Sequence, residues 1–228
     1  MTDESNSLDG TGREPSPDGR GERPRVGCHA LTWGEASLET VLEDVAAAGY
    51  AGVEPHTAPI RADPRRVRRL ASDAGLAVTG AYWTADFHDP DPGFDVASEA
   101  RALAEAVCAA GADRLDAPAA GGTGPVPLAV DTAHLFLGGF DAAATIREHG
   151  DRVAHVHLKD VLPVDESARA SWPDATRPLG DGAVDLDAVI DALAATGYDG
   201  WLVVEQDRTA DPGAAARRSR AFLRERGY

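Results

Sequence analysis

Residues 36–54, ASLETVLEDVAAAGYAGVE, contain the repeating unit that decides the fold. The first part has apolar residues at the i, i+3, i+4, i+7 spacing that is typical of one face of an amphipathic helix. These residues are Leu38, Val41, Leu42 and Val45. Gly49 predicts the end of the helix, since glycine commonly follows the last helical residue. Residues 50–54 then predict a short strand, so the stretch indicates a helix that leads directly into a strand.

The same alternation of strand and helix continues in both directions along the chain. Strands are predicted at residues 26–31, 50–54, 76–83, 113–117, 126–130, 152–158 and 200–204. Helices are predicted at residues 36–48, 64–74, 98–110, 140–149, from the cap at Asp185 onward, and 212–226. Repeated strand–helix units predict an α/β fold in which helices cover a parallel sheet.

Two architectures fit this pattern, a TIM-type (β/α) barrel and an open doubly wound sheet. No G-x-G-x-x-G follows the first strand, which argues against the dinucleotide-binding form of the open sheet. In a barrel, the loops at the C-terminal ends of the strands build the site. Polar, ionisable or aromatic residues stand at most of these ends: Trp33, Glu54 with His56, Asp86 with His88, Asp131 with His134, His157 with Lys159, and Glu205. This distribution favours the barrel.

The predicted barrel is incomplete, because we count about seven strands rather than eight. The fourth and fifth predicted strands are joined by the Gly-rich residues 118–126, which have no helical pattern. A parallel crossover through a helix needs about a dozen residues or more. At least one helix is therefore expected to be absent relative to a closed eightfold barrel.

Composition restricts the class of protein. The chain has 228 residues, 43% of them hydrophobic, and a formal net charge of −16. Such a charge disfavours nucleic acid and anionic membrane surfaces as partners, because both repel an acidic protein. No apolar run approaches the roughly 20 residues of a membrane span.

The ends of the chain and its cysteines suggest the domain organisation and the compartment. Residues 1–24 are polar and are expected to form a disordered acidic tail, whereas residues 25–228 form the barrel domain. The polar start has no signal-peptide pattern. Cys28 and Cys108 make no disulfide framework, so the cytoplasm is the expected location.

The sequence HVHLKD at residues 155–160 concentrates side chains that can bind a metal or transfer a proton. His155 and His157 are two residues apart on a predicted strand, so both point to one face, which Lys159 continues. Lys159 is the only lysine among 22 basic residues. Neutral imidazole is a common ligand of divalent metals. A pair of hydrogen-bonded core histidines is the alternative interpretation.

Three acidic residues at strand ends have two interpretations each. Asp131, with His134 three residues later, could hold a metal, or it could cap a helix or a turn. Glu205 follows four apolar residues and must be paired, metal-bound or at the barrel mouth, because burial of a free carboxylate is costly. The alternative interpretation is a strand-end Glu in water or in an ion pair with Arg. Glu54 follows Val53 and has the same two interpretations.

Asp131, His157 and Glu205 come from three consecutive predicted strands. Two carboxylates and one imidazole suit a single divalent metal, Mn²⁺, Mg²⁺, Co²⁺ or Zn²⁺. Such a metal polarises a carbonyl and acidifies the neighbouring C–H, and a flanking carboxylate or lysine can then move the proton. This chemistry serves aldose–ketose isomerisation, epimerisation beside a carbonyl, and loss of water from a keto-polyol.

The sequence resembles the sugar phosphate isomerase/epimerase superfamily of xylose isomerase-like TIM barrels. The matching segments are CHALTWG at 28–34, AGYAGVE at 48–54, VDTAH at 130–134, RVAHVHLKD at 152–160, LGDGAVDL at 179–186 and GYDGWLVVEQD at 197–207. Together they cover nearly the whole predicted domain. The segments around Trp33 and Glu205 look most like the inosose dehydratase and keto-inositol isomerase branch.

The resemblance implies one divalent metal held by a Glu, an Asp, a His and a second Glu. Asp131, His157 and Glu205 match the last three of these positions, and His134 matches a histidine that contacts substrate. The first Glu would lie on the strand that the short link lacks, and Glu54 is the substitute suggested by residue type.

Roles follow for the other residues near the strand ends. Glu205 and Lys159 are predicted to be catalytic. A small-molecule sugar or cyclitol is the expected partner. His134, His155, Glu54, Trp33 and His88 are predicted to contact it. The polar loop 161–184, with Trp172 and Arg177, is expected to cover the site.

A second hypothesis is a catalytically inactive relative that acts as a small-molecule binding module. It would follow from the missing strand, and it predicts weak metal affinity and assembly into a homo-oligomer that covers the gap.

Overall fold

The computed structural model describes residues 24–83, 93–112, 127–164 and 166–228. A six-stranded, all-parallel sheet with the order β3-β2-β1-β8-β5-β4 forms the centre of this part of the chain. The six strands are β1 (Arg25–His29), β2 (Gly52–Glu54), β3 (Ala77–Val78), β4 (Leu128–Asp131), β5 (Val153–Leu158) and β8 (Trp201–Val204). Two further strands, β6 (Asp160–Val161) and β7 (Thr176–Arg177), form a small antiparallel pair.

Eight α-helices connect and cover the strands. They are α1 (Leu38–Ala48), α2 (Thr57–Ala62), α3 (Pro64–Asp73), α4 (Val96–Ala109), α5 (Thr132–Leu137), α6 (Ala142–His149), α7 (Leu186–Thr196) and α8 (Pro212–Glu225) within the described ranges. Side chains cap many of the N-termini, as those of Ser37 and Asp185 do for α1 and α7. Gly49 ends α1 with a positive φ of 83°, as its position in the sequence predicts.

The core lies between the helices and the sheet. The apolar face of α1 is buried through Val41, Leu42 and Val45, as its spacing predicts. The interior of β1 and β2 is closely packed, because a Cβ added at Gly52 would lie 2.7 Å from Thr79 Cγ2 and 2.8 Å from Trp201. These contacts leave no room for a larger residue at position 52, so glycine is needed there to bring the strands together.

The sheet curls strongly around its interior. In the sheet order, β1 and β8 lie between β2 and β5. Three steps of about 4.8 Å would separate β2 from β5 by about 14 Å if the sheet were flat. Instead, Oε2 of Glu54 at the end of β2 lies 2.9 Å from Nε2 of His155 on β5. Side chains from non-adjacent strands therefore meet across the interior, as they do in a barrel.

The predicted strands agree well with the observed ones. Six of the seven lie in the sheet, and the seventh, at 113–117, falls outside the described residues, as does the link 118–126. The predicted tail also lies outside them, apart from Pro24. The short helices α2 and α5 were not predicted. The α/β fold class is confirmed, with a sheet that curves without closing among the described strands.

The buried carboxylate of Asp160 organises the loop that follows β5. Its Oδ1 accepts hydrogen bonds from the backbone N–H groups of Val161 and Val184, and its Oδ2 accepts from those of Gly180 and Gly182, all at 2.9–3.1 Å. Four donors on one carboxylate tie the two ends of the loop together. The 3-10 helix Glu166–Ala175 lies between them.

Two expectations about the environment of the chain can be compared with the structure. Within the described ranges, no helix combines the length and the apolar character that crossing a membrane requires. Both cysteines are free, with Cys28 buried and Cys108 exposed.

Candidate metal centre

Strand register brings the three predicted metal ligands together. In the β4–β5 pair, Asp131 lies opposite His157. Glu205 directly follows β8, the neighbour of β5 on its other side, and its backbone N–H donates to the carbonyl of Leu158 at 3.1 Å. The three side chains thus leave the C-terminal ends of three adjacent strands, which explains why the sequence could predict their proximity.

The donor set suits a divalent metal ion. Asp131, His157 and Glu205 each offer one ligand atom, and these atoms lie within 4.8 Å of one another. Ligands that share one ion at about 2.0–2.6 Å can be no farther apart than roughly twice that distance. Glu205 and His157 are buried and Asp131 is partly buried, so the group is largely shielded from water. The residues present therefore fit such an ion.

Lys159 lies inside a group of carboxylates. Its Nζ is 2.6 Å from Glu205 Oε1, 3.2 Å from Asp131 Oδ2 and 3.2 Å from Asp207 Oδ2, and the residue is only 2% exposed. Burial alone would lower the pKa of Lys159, but the three carboxylates outweigh it and raise this pKa above its usual range. Lys159 is therefore a buried, permanently charged ammonium group beside the candidate ligands.

Asp131 has two roles in the structure, one for each oxygen. Its Oδ1 accepts a hydrogen bond from the backbone N–H of His134 at 2.9 Å and caps the N-terminus of α5. Its Oδ2 faces Lys159 at 3.2 Å. The helix-cap interpretation of this residue is therefore correct, and it is compatible with membership of the charged cluster.

His157 lies between two carboxylates. Its Nδ1 is 3.1 Å from Glu205 Oε2, and its Nε2 is 3.1 Å from Glu54 Oε2. Burial alone would lower the pKa of His157, but the negative charges, led by Glu54, raise it to about 9. Burial would raise the pKa of Glu205, but His29, Lys159 and His157 hold it at about 2.

Glu54 is the centre of a second, fully buried cluster. Its Oε2 is 2.9 Å from His155 Nε2 and 3.1 Å from His157 Nε2, and its Oε1 faces His29 Nε2 at 3.7 Å. Burial opposes ionisation, but His157 and His155 lower the pKa of Glu54 well below its usual value. Glu54, His155 and His157 also form a group of potential metal ligands.

A cavity of about 580 Å³ opens beside the first cluster. Its lining includes the polar residues Asp131, His134, His157, Lys159, Glu205 and Asp207. The other lining residues are largely apolar: Leu31, Tyr82, Leu128, Ala129, Val130, Leu135, Gly138, Phe140 and Thr145. The size suits a molecule of about the size of a monosaccharide or a larger one.

The predicted substrate-contacting residues lie in different places. His134 lines the cavity, and its ring packs edge-on against that of Trp172, with centroids 4.7 Å apart. Trp33 donates from Nε1 to Asp44 Oδ2 at 2.8 Å and is not among the described residues of the cavity wall. Glu54 and His155 also lie outside that wall. His88 falls outside the described residues.

Two of the lining residues that the sequence analysis did not predict lie close to the cluster, Asp207 and Tyr82. Asp207 contacts Lys159 and lies two residues after Glu205, so a continued strand alternation could have indicated it. Tyr82, whose ring centroid is 6.0 Å from that of His157, carries no chemical signal in the sequence. Trp172 was expected above the site, and its ring centroid lies 5.3 Å from Lys159 Nζ.

The chain was compared with protein families, curated proteins and solved structures. Residues 122–226 match the family described as "Xylose isomerase-like TIM barrel". The resemblance inferred from the sequence motifs is thereby confirmed.

Among curated proteins, the chain is 36% identical over 112 residues to inosose dehydratase of Geobacillus thermodenitrificans, an alignment that covers 44% of this chain and 38% of that protein. It is 40% identical over 100 residues to the rhizopine catabolism protein MocC of Rhizobium meliloti, covering 40% of this chain and 30% of that protein. The matches thus span less than two-fifths of the length of either relative.

Among solved structures, 3-keto-D-glucoside 4-epimerase from E. coli is similar in fold, with a TM-score of 0.68 at 18% identity. The similarity covers 89% of this chain and the whole of that one. It supports the barrel-like arrangement of the described strands and helices.

Proposed function

We propose, on the basis of the resemblance to xylose isomerase-like TIM barrels, that the chain is a divalent-metal-dependent isomerase, epimerase or dehydratase. Its substrate would be a keto-sugar, a sugar phosphate or a keto-inositol. The observation that carries the proposal is the group Asp131, His157 and Glu205, whose ligand atoms lie within 4.8 Å of one another in the wall of the cavity.

The chemistry would begin at a carbonyl of the substrate. A divalent cation held by Asp131, His157 and Glu205 would polarise that carbonyl and acidify the adjacent C–H. Lys159 lines the same wall and stays charged, so it would stabilise negative charge that develops on a substrate oxygen. This role suits a lysine that is held in place by three carboxylates.

Proton transfer would involve the carboxylates around Lys159. Glu205 is ionised at neutral pH and would accept a proton from carbon, in keeping with its predicted catalytic role. Asp207 is also in the wall, and burial raises its pKa, so in its protonated form it would be a second group that returns a proton. In an epimerisation the returned proton would go to carbon, whereas in a dehydration it would go to the departing hydroxyl, which leaves as water.

The substrate class is proposed from the relatives and from the cavity. Inosose dehydratase acts on inosose, and 3-keto-D-glucoside 4-epimerase on a keto-glucoside, by their names. The polar lining residues offer donors and acceptors to hydroxyl groups, and the apolar lining residues offer surface for the C–H groups of a ring. A cyclic polyol with one carbonyl suits this mixed lining.

The experiment compares wild type with Asp131→Ala and Asp141→Ala. Asp141 caps α6 by accepting a hydrogen bond from the N–H of Ala144 at 3.0 Å. Its substitution therefore removes a comparable helix cap at a residue that is not one of the three candidate ligands. We expect Mn²⁺ or Co²⁺ to bind wild type and Asp141→Ala with similar heats in calorimetry. Asp131→Ala should lose most of this binding.

Turnover is tested on the metal-loaded proteins with a set of keto-inositols and ketoses, followed by NMR of the products. Loss of the α-proton signal in D₂O would identify proton abstraction beside the carbonyl. Equal metal binding by the two variants would contradict the metal site. Metal binding with no exchange on any substrate would favour the inactive binding module instead.

A further inference from the structure

The carboxylate of Glu54 receives three imidazole groups. His155 and His157 approach Oε2 at 2.9 and 3.1 Å, and His29 approaches Oε1 at 3.7 Å. Glu54 is 0% exposed and His29, His155 and His157 are 1–8% exposed. A carboxylate buried in this way needs charged or hydrogen-bonding partners, and here imidazoles from β1 and β5 supply them.

The proton positions of this cluster follow from what each atom can accept. Nδ1 of His29 accepts a hydrogen bond from the backbone N–H of Leu31 at 2.9 Å, so a neutral His29 carries its proton on Nε2. That N–H faces Glu54 Oε1. At 3.7 Å this is an electrostatic contact rather than a hydrogen bond, and a protonated Nε2 is unsuited to bind a metal.

The same reasoning applies to His157. An ionised carboxylate only accepts hydrogen bonds, so the Nε2 that faces Glu54 must carry a proton. The other nitrogen, Nδ1, lies on the opposite side of the ring, 3.1 Å from Glu205 Oε2, so by the same reasoning it carries a proton until a bound ion displaces it. A histidine that binds a metal does so through an unprotonated nitrogen and commonly donates from its other nitrogen to a carboxylate or carbonyl.

We propose that Glu54 is a positioning residue, which fixes the proton of His157 on Nε2 and so presents Nδ1 to the metal at Asp131 and Glu205. This inference rests on the proposed function. It differs from the suggestion that Glu54 replaces the missing ligand. The Glu54 carboxylate contacts Nε2 of His157, whereas the nitrogen that would bind the metal is Nδ1, on the side of Glu205.

The substitution Glu54→Gln tests this role with little change of volume. A glutamine amide has one accepting oxygen and one donating NH₂ group, whereas two imidazole N–H groups share Glu54 Oε2 and a third faces Oε1. The amide cannot satisfy all of them, and the tautomer of His157 is no longer fixed. The matched control is Val53→Ala, which changes a fully buried neighbour on β2 and leaves the carboxylate intact.

The first measurement is Co²⁺ affinity, obtained by competition with a chelator, together with the visible spectrum of the bound ion. We expect one Co²⁺ per wild-type chain, an affinity about 10- to 100-fold weaker in Glu54→Gln with an altered spectrum, and little change in Val53→Ala. An unchanged affinity and spectrum in Glu54→Gln would overturn the proposal. So would a second ion that Glu54→Gln loses, because Glu54 would then be a ligand itself.

The second measurement separates this inference from the proposed function. Long-range ¹H–¹⁵N NMR reports the tautomer of each histidine in metal-free protein at alkaline pH, where the ring of His157 has lost one of its two protons. Glu205 Oε2 competes for the remaining proton from the Nδ1 side, so we expect a larger share of it on Nε2 in wild type and in Val53→Ala than in Glu54→Gln. If wild type binds no metal, the proposed function fails while this comparison still tests the role of Glu54. An equal Nε2 share in wild type and Glu54→Gln would refute it.

Discussion

Lys159 Nζ lies 2.6 Å from Glu205 Oε1, and the same ammonium group also contacts the carboxylates of Asp131 and Asp207. The only lysine of the chain thus neutralises part of a buried group of negative charges. It does so next to the atoms that would bind a divalent cation.

Replacement of Lys159 by methionine should therefore separate stability from metal binding. Removal of one partner from a buried ion pair typically costs about 3–5 kcal/mol, because the remaining charges stay buried. We expect the free energy of unfolding of metal-free Lys159→Met, measured by urea titration, to be lower than that of wild type by this amount. Mn²⁺ should stabilise the variant more than it stabilises wild type. Turnover should fall by about 10²- to 10³-fold, as expected when a group that stabilises developing negative charge is removed. Equal stability of the two metal-free proteins would argue against the charge balance described here.

Metal binding should release a proton near neutral pH. The pKa of His157 is raised to about 9 in the metal-free protein, whereas Glu205 has lost its proton above a pKa of about 2. The ion must replace the proton on Nδ1, so affinity should rise about tenfold per pH unit until pH approaches 9. Calorimetry in two buffers of different ionisation enthalpy measures the release, with His149→Ala as a control outside the cluster. Affinity that is constant between pH 6 and pH 8 would contradict the protonation assigned to His157.

The buried Asp160 should be a large contributor to stability. It is 1% exposed and accepts hydrogen bonds from four backbone N–H groups at 2.9–3.1 Å. In Asp160→Asn an NH₂ group faces some of these donors, which leaves them unsatisfied at about 1–3 kcal/mol each. We expect a loss of about 2–5 kcal/mol in urea unfolding. The exposed Asp151→Asn should change stability by less than about 0.5 kcal/mol, and a similar loss in both would remove the special role of Asp160.

The two cysteines should differ in reactivity. Cys28 is buried, and burial raises its pKa to about 12, whereas Cys108 is exposed. Since the thiolate is the reactive form, a disulfide reagent at pH 8 should modify one cysteine per folded chain and two in urea. Mass spectrometry should find the label on Cys108. Rapid labelling of Cys28 in folded protein would mean that β1 opens readily.

The sequence predicted the parts of the site that depend on strand ends alone. Asp131, His157 and Glu205 stand at the C-terminal ends of three strands that are adjacent in the sheet, and parallel register then brings their side chains together. This inference needs only the order of the strands and the rule that the C-terminal ends of parallel strands lie at the same edge of the sheet.

The contact of Glu54 with His155 could not be predicted in the same way. Their strands are separated by two others, and only the curvature of the sheet, which depends on close packing at positions such as Gly52, brings the side chains together. The short helix α5 was missed because six residues carry too little periodicity to be recognised. The helix-cap interpretation of Asp131 is correct for Oδ1, whereas Oδ2 faces Lys159 and its role as a metal ligand stays a prediction.

The two oxygens of Asp131 have different partners, and they link the candidate metal site to the first turn of α5. Any event that pulls Oδ2 towards a cation shifts the carboxylate whose Oδ1 anchors the first turn of α5. Deuterium uptake at the amide of His134 should therefore slow or quicken with occupancy of the cluster. A single backbone proton, on a residue that lines the cavity, would then act as a reporter of what the interior holds.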